Sequence, residues 1–197
     1  KHPVAAAEIK PEDTRPATLP AYVEWLKTVD IAALGPVHLR IPASGNAASG
    51  LMIIVDMPEQ GDESRGALLS GEAGLLFERM LSAIGRDRDS VYTIALSPSR
   101  PATTLAAEQD MPLLKALALH HVKLAQPKRL WLMGNATSRA LLGLDAIAAR
   151  GCLHQINHEG INVEAVVSFA PPFLLKNPLR KAAAWADMQA LVKGMNS

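Results

Sequence analysis

Cysteine is almost missing from this chain: Cys152 is the single one among 197 residues. That excludes an internal disulfide framework and any metal or cluster site built from cysteines alone. Cys152 itself reads as a small half-buried residue or a free thiol. Aromatic residues are scarce too, at 4% against 49% apolar residues overall, so the core must be built from Ala, Leu, Val, Ile and Met. No run of about 18 uninterrupted apolar residues occurs, and no membrane-spanning helix is expected. The opening Lys-His-Pro-Val-Ala-Ala-Ala-Glu lacks a long apolar signal core, which makes the cytoplasm the expected compartment. An excess of one charge is also lacking: 20 Lys and Arg face 19 Asp and Glu, for a net charge of +1. This is not the balance of a protein that coats nucleic acid, although a local basic rim is compatible with it. Gly71-Glu-Ala-Gly74 is not followed by the Gly-Lys-Ser/Thr of a phosphate loop. Ser97 and Ser99 lack a nucleophile-elbow pattern. His120-His121, and His154 with His158 and Glu159, supply no third ligand at metal spacing.

What is present is a regular alternation. Residues 1–50 read as an N-terminal arm and helix, with prolines at 3, 11, 16 and 20 and a helical stretch from Tyr22 to Leu34. Residues 51–197 read as one domain. Four apolar runs mark strands: Leu51–Asp56, Val91–Leu96, Arg129–Met133 and Val163–Phe169. Their continuous apolar character suits strands covered on both faces. Helical patterns separate or follow them, over about Glu72–Ile84, Met111–Ala125 (after Asp110 as cap), Ala136–Leu142 (after Asn135) and Pro178–Lys193. In the last, Trp185, Met188 and Val192 form one stripe. Leu153–Asn157 and the stretch from Ile161 are compatible with a hairpin over His158-Glu-Gly160. The expected fold class is α/β: a three-layer α/β/α sandwich with a short, mainly parallel four-stranded sheet.

In such sheets ligands collect beyond the carboxyl ends of the strands. The loops there begin Val55-Asp-Met-Pro-Glu59, Ala95-Leu-Ser-Pro-Ser-Arg-Pro101, Gly134 and Phe169-Ala-Pro-Pro-Phe-Leu-Leu-Lys-Asn-Pro178. With Gly66-Ala-Leu-Leu-Ser-Gly-Glu-Ala-Gly-Leu-Leu76 they occur in an order that resembles the uracil-DNA glycosylase superfamily, its family-four branch in particular. The C-terminal segment is similar to that branch's His-Pro-Ala-Tyr-Leu-Leu-Arg-Asn-Pro. The likeness spans roughly residues 51–193.

The departures bear on function. The resemblance implies that Ala170 stands where the family carries its catalytic histidine, and Ala95 where it carries a base-reading Asn. Leu69 stands where an aromatic stacks on the flipped base. Met57 and Pro58 complete the implied base pocket, and the branch's four-cysteine cluster is absent, so no cofactor and no iron–sulfur cluster are expected. A donor placed against developing charge is worth about 10²–10³ in rate, which a methyl group cannot supply. Asp56 is the remaining acidic candidate: it either orients a water at the sugar or caps the following turn or pairs with Arg100. Glu59, Asp62 and Glu63 read as an acidic surface loop. Arg100, Phe173, Leu174, Lys176 and Asn177 form the implied DNA-binding set. There Phe173–Leu175 either enter a base stack beside basic Lys176, Arg180 and Lys181, or fold under the loop as core. The expected partner is DNA, with no membrane.

Three readings of function stay open. The first is a divergent glycosylase-like protein that binds DNA or a base with weak or absent uracil excision. The second is an active glycosylase on another damaged base through Asp56. The third is a non-catalytic protein-interaction scaffold.

Overall fold

The computed structural model describes residues 14–102, 107–193 and 195. The first thirteen residues of the expected arm therefore lie outside the described residues. The strands are β1 (Ser44–Gly45), β2 (Leu51–Val55), β3 (Tyr92–Ala95), β4 (Arg129–Met133), β5 (Leu153–His158) and β6 (Ile161–Ser168). The helices are α1 (Leu19–Thr28), α2 (Asp62–Arg65), α3 (Gly71–Ala83), α4 (Met111–Ala125), α5 (Asn135–Leu142), α6 (Ala146–Ala149), α7 (Pro171–Lys176) and α8 (Lys181–Val192).

The sheet has six strands, not the expected four, in the order β1-β3-β2-β4-β6-β5. The four apolar runs make the parallel centre, and β1 and β5 add antiparallel edges. The extra strands escape a search for apolar runs because an edge strand is half solvated. β1 is the exposed pair Ser44-Gly45, and β5 buries only Ile156. The expected hairpin is the β5–β6 pair, with His158 opposite Ile161.

Alternation along the central strands builds two cores. Met52 and Ile54 of β2, with Leu130 and Leu132 of β4, face the layer of α1, α4, α5 and α6. Leu51, Ile53 and Val55, with Trp131 and Met133, face α3, α7 and α8. Every residue of β2 and β4 is buried, as a strand covered on both faces requires. Helical spacing supplies the opposing surfaces, with Phe77, Met80 and Leu81 on α3 and Leu114, Leu117 and His121 on α4.

Three local details differ from the expectation. The helix expected from Tyr22 to Leu34 stops at Thr28, and a separate 3₁₀ turn covers 32–34. Phe169–Asn177 is not an open loop: α7 starts at Pro171, where two prolines occupy first-turn positions whose N–H groups need no partner. The last helix begins as a 3₁₀ turn over Pro178–Arg180, and its buried stripe is Ala184, Met188 and Leu191. Trp185 stays 44% exposed.

Candidate functional site

Parallel pairing aligns the carboxyl ends of the central strands. Val55 is level with Ala95 on one side and Met133 on the other, and Met133 is level with Ser168. The next residues, Asp56, Gly134 and Phe169, therefore emerge side by side at one edge of the sheet. A cleft of about 630 Å³ opens there. Asp56, Gly134, Asn135, Ser168, Ala170 and Phe173 line it, with Asp145–Ala148 forming a further wall.

Asp56 points toward α5. Its Oδ1 accepts the Thr137 backbone N–H at 2.8 Å, so the carboxylate caps the helix that follows the neighbouring strand β4 and not its own turn. Burial pushes the carboxyl up from its usual range, while amides of Asn135, Ala136 and Thr137 and the Thr137 hydroxyl pull it back. Gly134 makes this approach possible. A Cβ there would lie 2.3 Å from the Asp56 carboxyl carbon, and its φ of +131° is in any case open mainly to glycine.

Behind the cleft runs a column of stacked groups. The Phe169 and Phe173 ring centroids are 4.7 Å apart with planes 26° from parallel. The Arg150 guanidinium carbon sits 4.0 Å from the Phe169 ring centroid. Buried Asp187 accepts from Arg150 Nε at 2.7 Å and fixes the inner end. Burial raises the Asp187 carboxyl, and Arg150 opposes the shift. The buried Ser168 hydroxyl sits beside Asp187, yet Ser168 Oγ makes no aligned hydrogen bond. Ser168 also faces the cleft.

The remaining expected site residues scatter. Leu69 is buried among the α3-side core with a φ of +51°. Its loop is clamped by two residues. Asp62 accepts the amides of Glu59, Leu69 and Ser70 and the Ser70 hydroxyl, and Arg88 donates to the carbonyls of Leu68 and Leu69. Asp62 is thus fully buried, unlike the solvated surface acid expected of it, because three amides and a hydroxyl replace water. Ala95 ends β3 on the far side of β2 and lines a separate small hollow with Ile94, Pro98 and His121. Arg100 donates to the Pro58 carbonyl at 3.0 Å and faces Glu59 at 3.8 Å, not Asp56. Pro58 is buried and lines the hollow beside Arg100. Met57 is half-buried next to Asp56.

In the C-terminal motif the residues divide. Leu174 is 1% exposed and belongs to the core, whereas Phe173 is 40% exposed. Lys176, Arg180 and Lys181 are exposed, and Asn177 donates its side-chain N–H back to the Phe173 carbonyl. The most prominent apolar group is Leu179, 96% exposed between Pro178 and Arg180. Periodicity gave no sign of it, because a 3₁₀ turn interrupts the helix there.

Three of the histidines serve structure. His121 bonds the Tyr92 hydroxyl at 2.8 Å, His120 the Pro16 carbonyl, and His154 the Ala149 carbonyl. Among the described residues no group of three His, Cys, Asp or Glu side chains is placed to hold a metal ion. Cys152 is exposed and free, not half-buried. No helix of the described residues is long and apolar enough to cross a membrane.

The cleft therefore sits at the carboxyl ends of β2, β4 and β6, bordered by the segments that begin at Asp56, Gly134 and Phe169. Residues 42–189 match the family model described as the uracil DNA glycosylase superfamily, well over half of the chain, and the protein belongs to that superfamily.

Proposed function

We propose that this chain is a divergent glycosylase-like protein that binds DNA and admits a base-sized group to the cleft beside Asp56, with weak or absent excision of uracil. The observation that carries this reading is Ala170. It lines the cleft with a methyl group at the position where the superfamily motif has an ionisable side chain. Uracil leaves a sugar as an anion, and an anion forming against methyl and phenyl groups gains no electrostatic support. Leu69 and Ala95 add to the argument, since neither presents a stacking face or an amide to the cleft.

DNA binding is supported by the exposed cations Lys176, Arg180 and Lys181 beside the partly exposed Phe173. The test uses one duplex oligonucleotide with uracil and one without. Binding that weakens with salt, and weakens further in Lys176→Glu, is expected, with little uracil released. Uracil release at ordinary glycosylase rates defeats the reading of weak excision. Binding that ignores both salt and Lys176→Glu defeats the reading of DNA contact and favours a protein-interaction scaffold.

A second reading, an active glycosylase on another damaged base, is favoured by Asp56. Its carboxylate is the one acidic group at the strand ends that borders the cleft without a basic side-chain partner.

A further inference from the structure

We propose that the cleft is built for an N-alkylated, positively charged nucleobase and releases it from the sugar. This rests on reading the chain as a base-binding glycosylase-like protein and names the substrate class of that same site.

The first argument is the aromatic column. Phe169 covers one face of Phe173, and Arg150 and Asp187 hold Phe169 from behind. Phe173 is 40% exposed and lines the cleft, so the column ends on a ring available to a planar group. A flat cation on such a ring gains from the ring quadrupole as well as from contact area.

The second is the sign of the lining. It includes the carboxylates of Asp56 and Asp145 and no lysine, arginine or histidine. Arg139 pairs with Asp145, and Arg150 pairs with Asp187, which leaves Asp56 without a basic side chain against it. The buried Ser168 hydroxyl, beside the Asp187 carboxylate, adds a polar atom but no positive charge to the cleft wall. An anionic leaving group finds no cationic side chain in this lining, whereas a cationic base faces the Asp56 carboxylate.

The third is the chemistry of departure. In an N7-alkylated purine nucleotide the ring already carries a positive charge. When the C1′–N9 bond breaks, its electron pair moves to the ring and cancels that charge, so the base leaves neutral. No proton donor is needed where Ala170 stands. The sugar C1′ becomes cation-like and takes the oxygen of a water, whose proton passes to the Asp56 carboxylate and then to solvent. The products are an abasic sugar and a neutral methylated purine. Asp56, which caps α5 through Thr137, is held at the strand ends to face that cation.

The test uses the full chain with one duplex carrying a single 7-methylguanine, the same duplex with guanine, and the same duplex with uracil. Released base is measured by mass spectrometry, and duplex binding by fluorescence anisotropy. Release of 7-methylguanine about tenfold or more above the protein-free control, with guanine retained, is expected. Asp56→Asn and Phe173→Leu should each lower that release about tenfold, the latter keeping apolar bulk without the ring. Thermal melting confirms that both variants fold. Release no faster than the control, with salt-dependent binding intact, overturns the substrate class and leaves the DNA-binding reading standing. Release undiminished in Phe173→Leu overturns the stacking argument. Absence of binding to any duplex overturns the underlying reading together with this one.

Discussion

The Gly134 backbone lies directly against the Asp56 carboxyl group, so close that a Cβ on Gly134 would sit 2.3 Å from Asp56 Oδ2. Two neighbouring strand ends are thereby locked together. The carboxylate is held by amides of α5, and the glycine leaves the space that lets it reach them.

Gly134→Ala should therefore destabilise the fold by roughly 1–3 kcal/mol, through overpacking and a strained φ. In Asp56→Ala the carboxyl is gone and the overpacking part should vanish. A double-mutant cycle in urea measures the coupling; additive losses would show that the contact is not the cause.

His121 makes stability sensitive to mild acid. Burial, aided by the neighbouring His120, lowers its pKa from 6.5 to about 4. The unfolded chain then binds more protons between these values, so stability is full above about 6.5 and falls as pH drops toward 4. The loss is about 3 kcal/mol across that window. Denaturant melts of the parent and of His121→Gln at several pH values check it, and the variant should give a flatter profile.

Asp56 has the opposite sign. Its raised carboxyl favours the protonated fold, so its contribution is fully present below the unfolded value of 3.8 and is lost as pH rises through the folded one. Asp56→Asn keeps an acceptor for the Thr137 amide and should become more stable relative to the parent as pH rises through this range. A difference that stays constant with pH would contradict the assignment.

Asp62→Ala leaves the amides of Glu59, Leu69 and Ser70 unpaired and should cost roughly 2–4 kcal/mol. The loop 66–70 should also become more accessible to protease. Asp62→Asn should fall in between. A loss below the level of an ordinary surface substitution would refute the clamp.

Leu174 and Leu179 should behave as opposites. Leu174→Ala removes a fully packed side chain and should cost about 2–5 kcal/mol. Leu179→Ala should change stability by less than about 0.5 kcal/mol. If the exposed turn contacts DNA, duplex affinity should fall in Leu179→Ala while the melting temperature does not move.

Ala170→His should place a donor in the cleft and raise uracil release by about 10²–10³ over the parent. Ala95→Asn should add little, because Ala95 lines a different hollow. Initial rates on a uracil-containing oligonucleotide compare the two.

How much of this was legible beforehand depended on the range of the interactions. Strands with both faces covered, such as Leu51–Val55 and Arg129–Met133, announce themselves by uninterrupted apolar runs. Edge strands do not: Ser44–Gly45 is polar and too short to show a period, so apolar runs mark only four of the six strands. The prolines at 171 and 172 look like loop residues in a one-dimensional reading, although they are equally suited to the first turn of a helix.

By itself the sequence determined the layer architecture, the order of the loops at the sheet's carboxyl edge, and the chemical groups missing from them. These follow from local periodicity and from the identity of single residues. Only the tertiary structure decided which side chains share a cleft. Strand register brings Asp56, Gly134 and Ser168 together from three distant stretches of the chain, while side-chain alternation and packing send Leu69 and Leu174 into the core. Asp62, read as a surface acid, became a buried clamp, and Phe173 became the open end of a stack anchored by Asp187. Such outcomes depend on which groups meet across the fold, and no run of neighbouring residues encodes that.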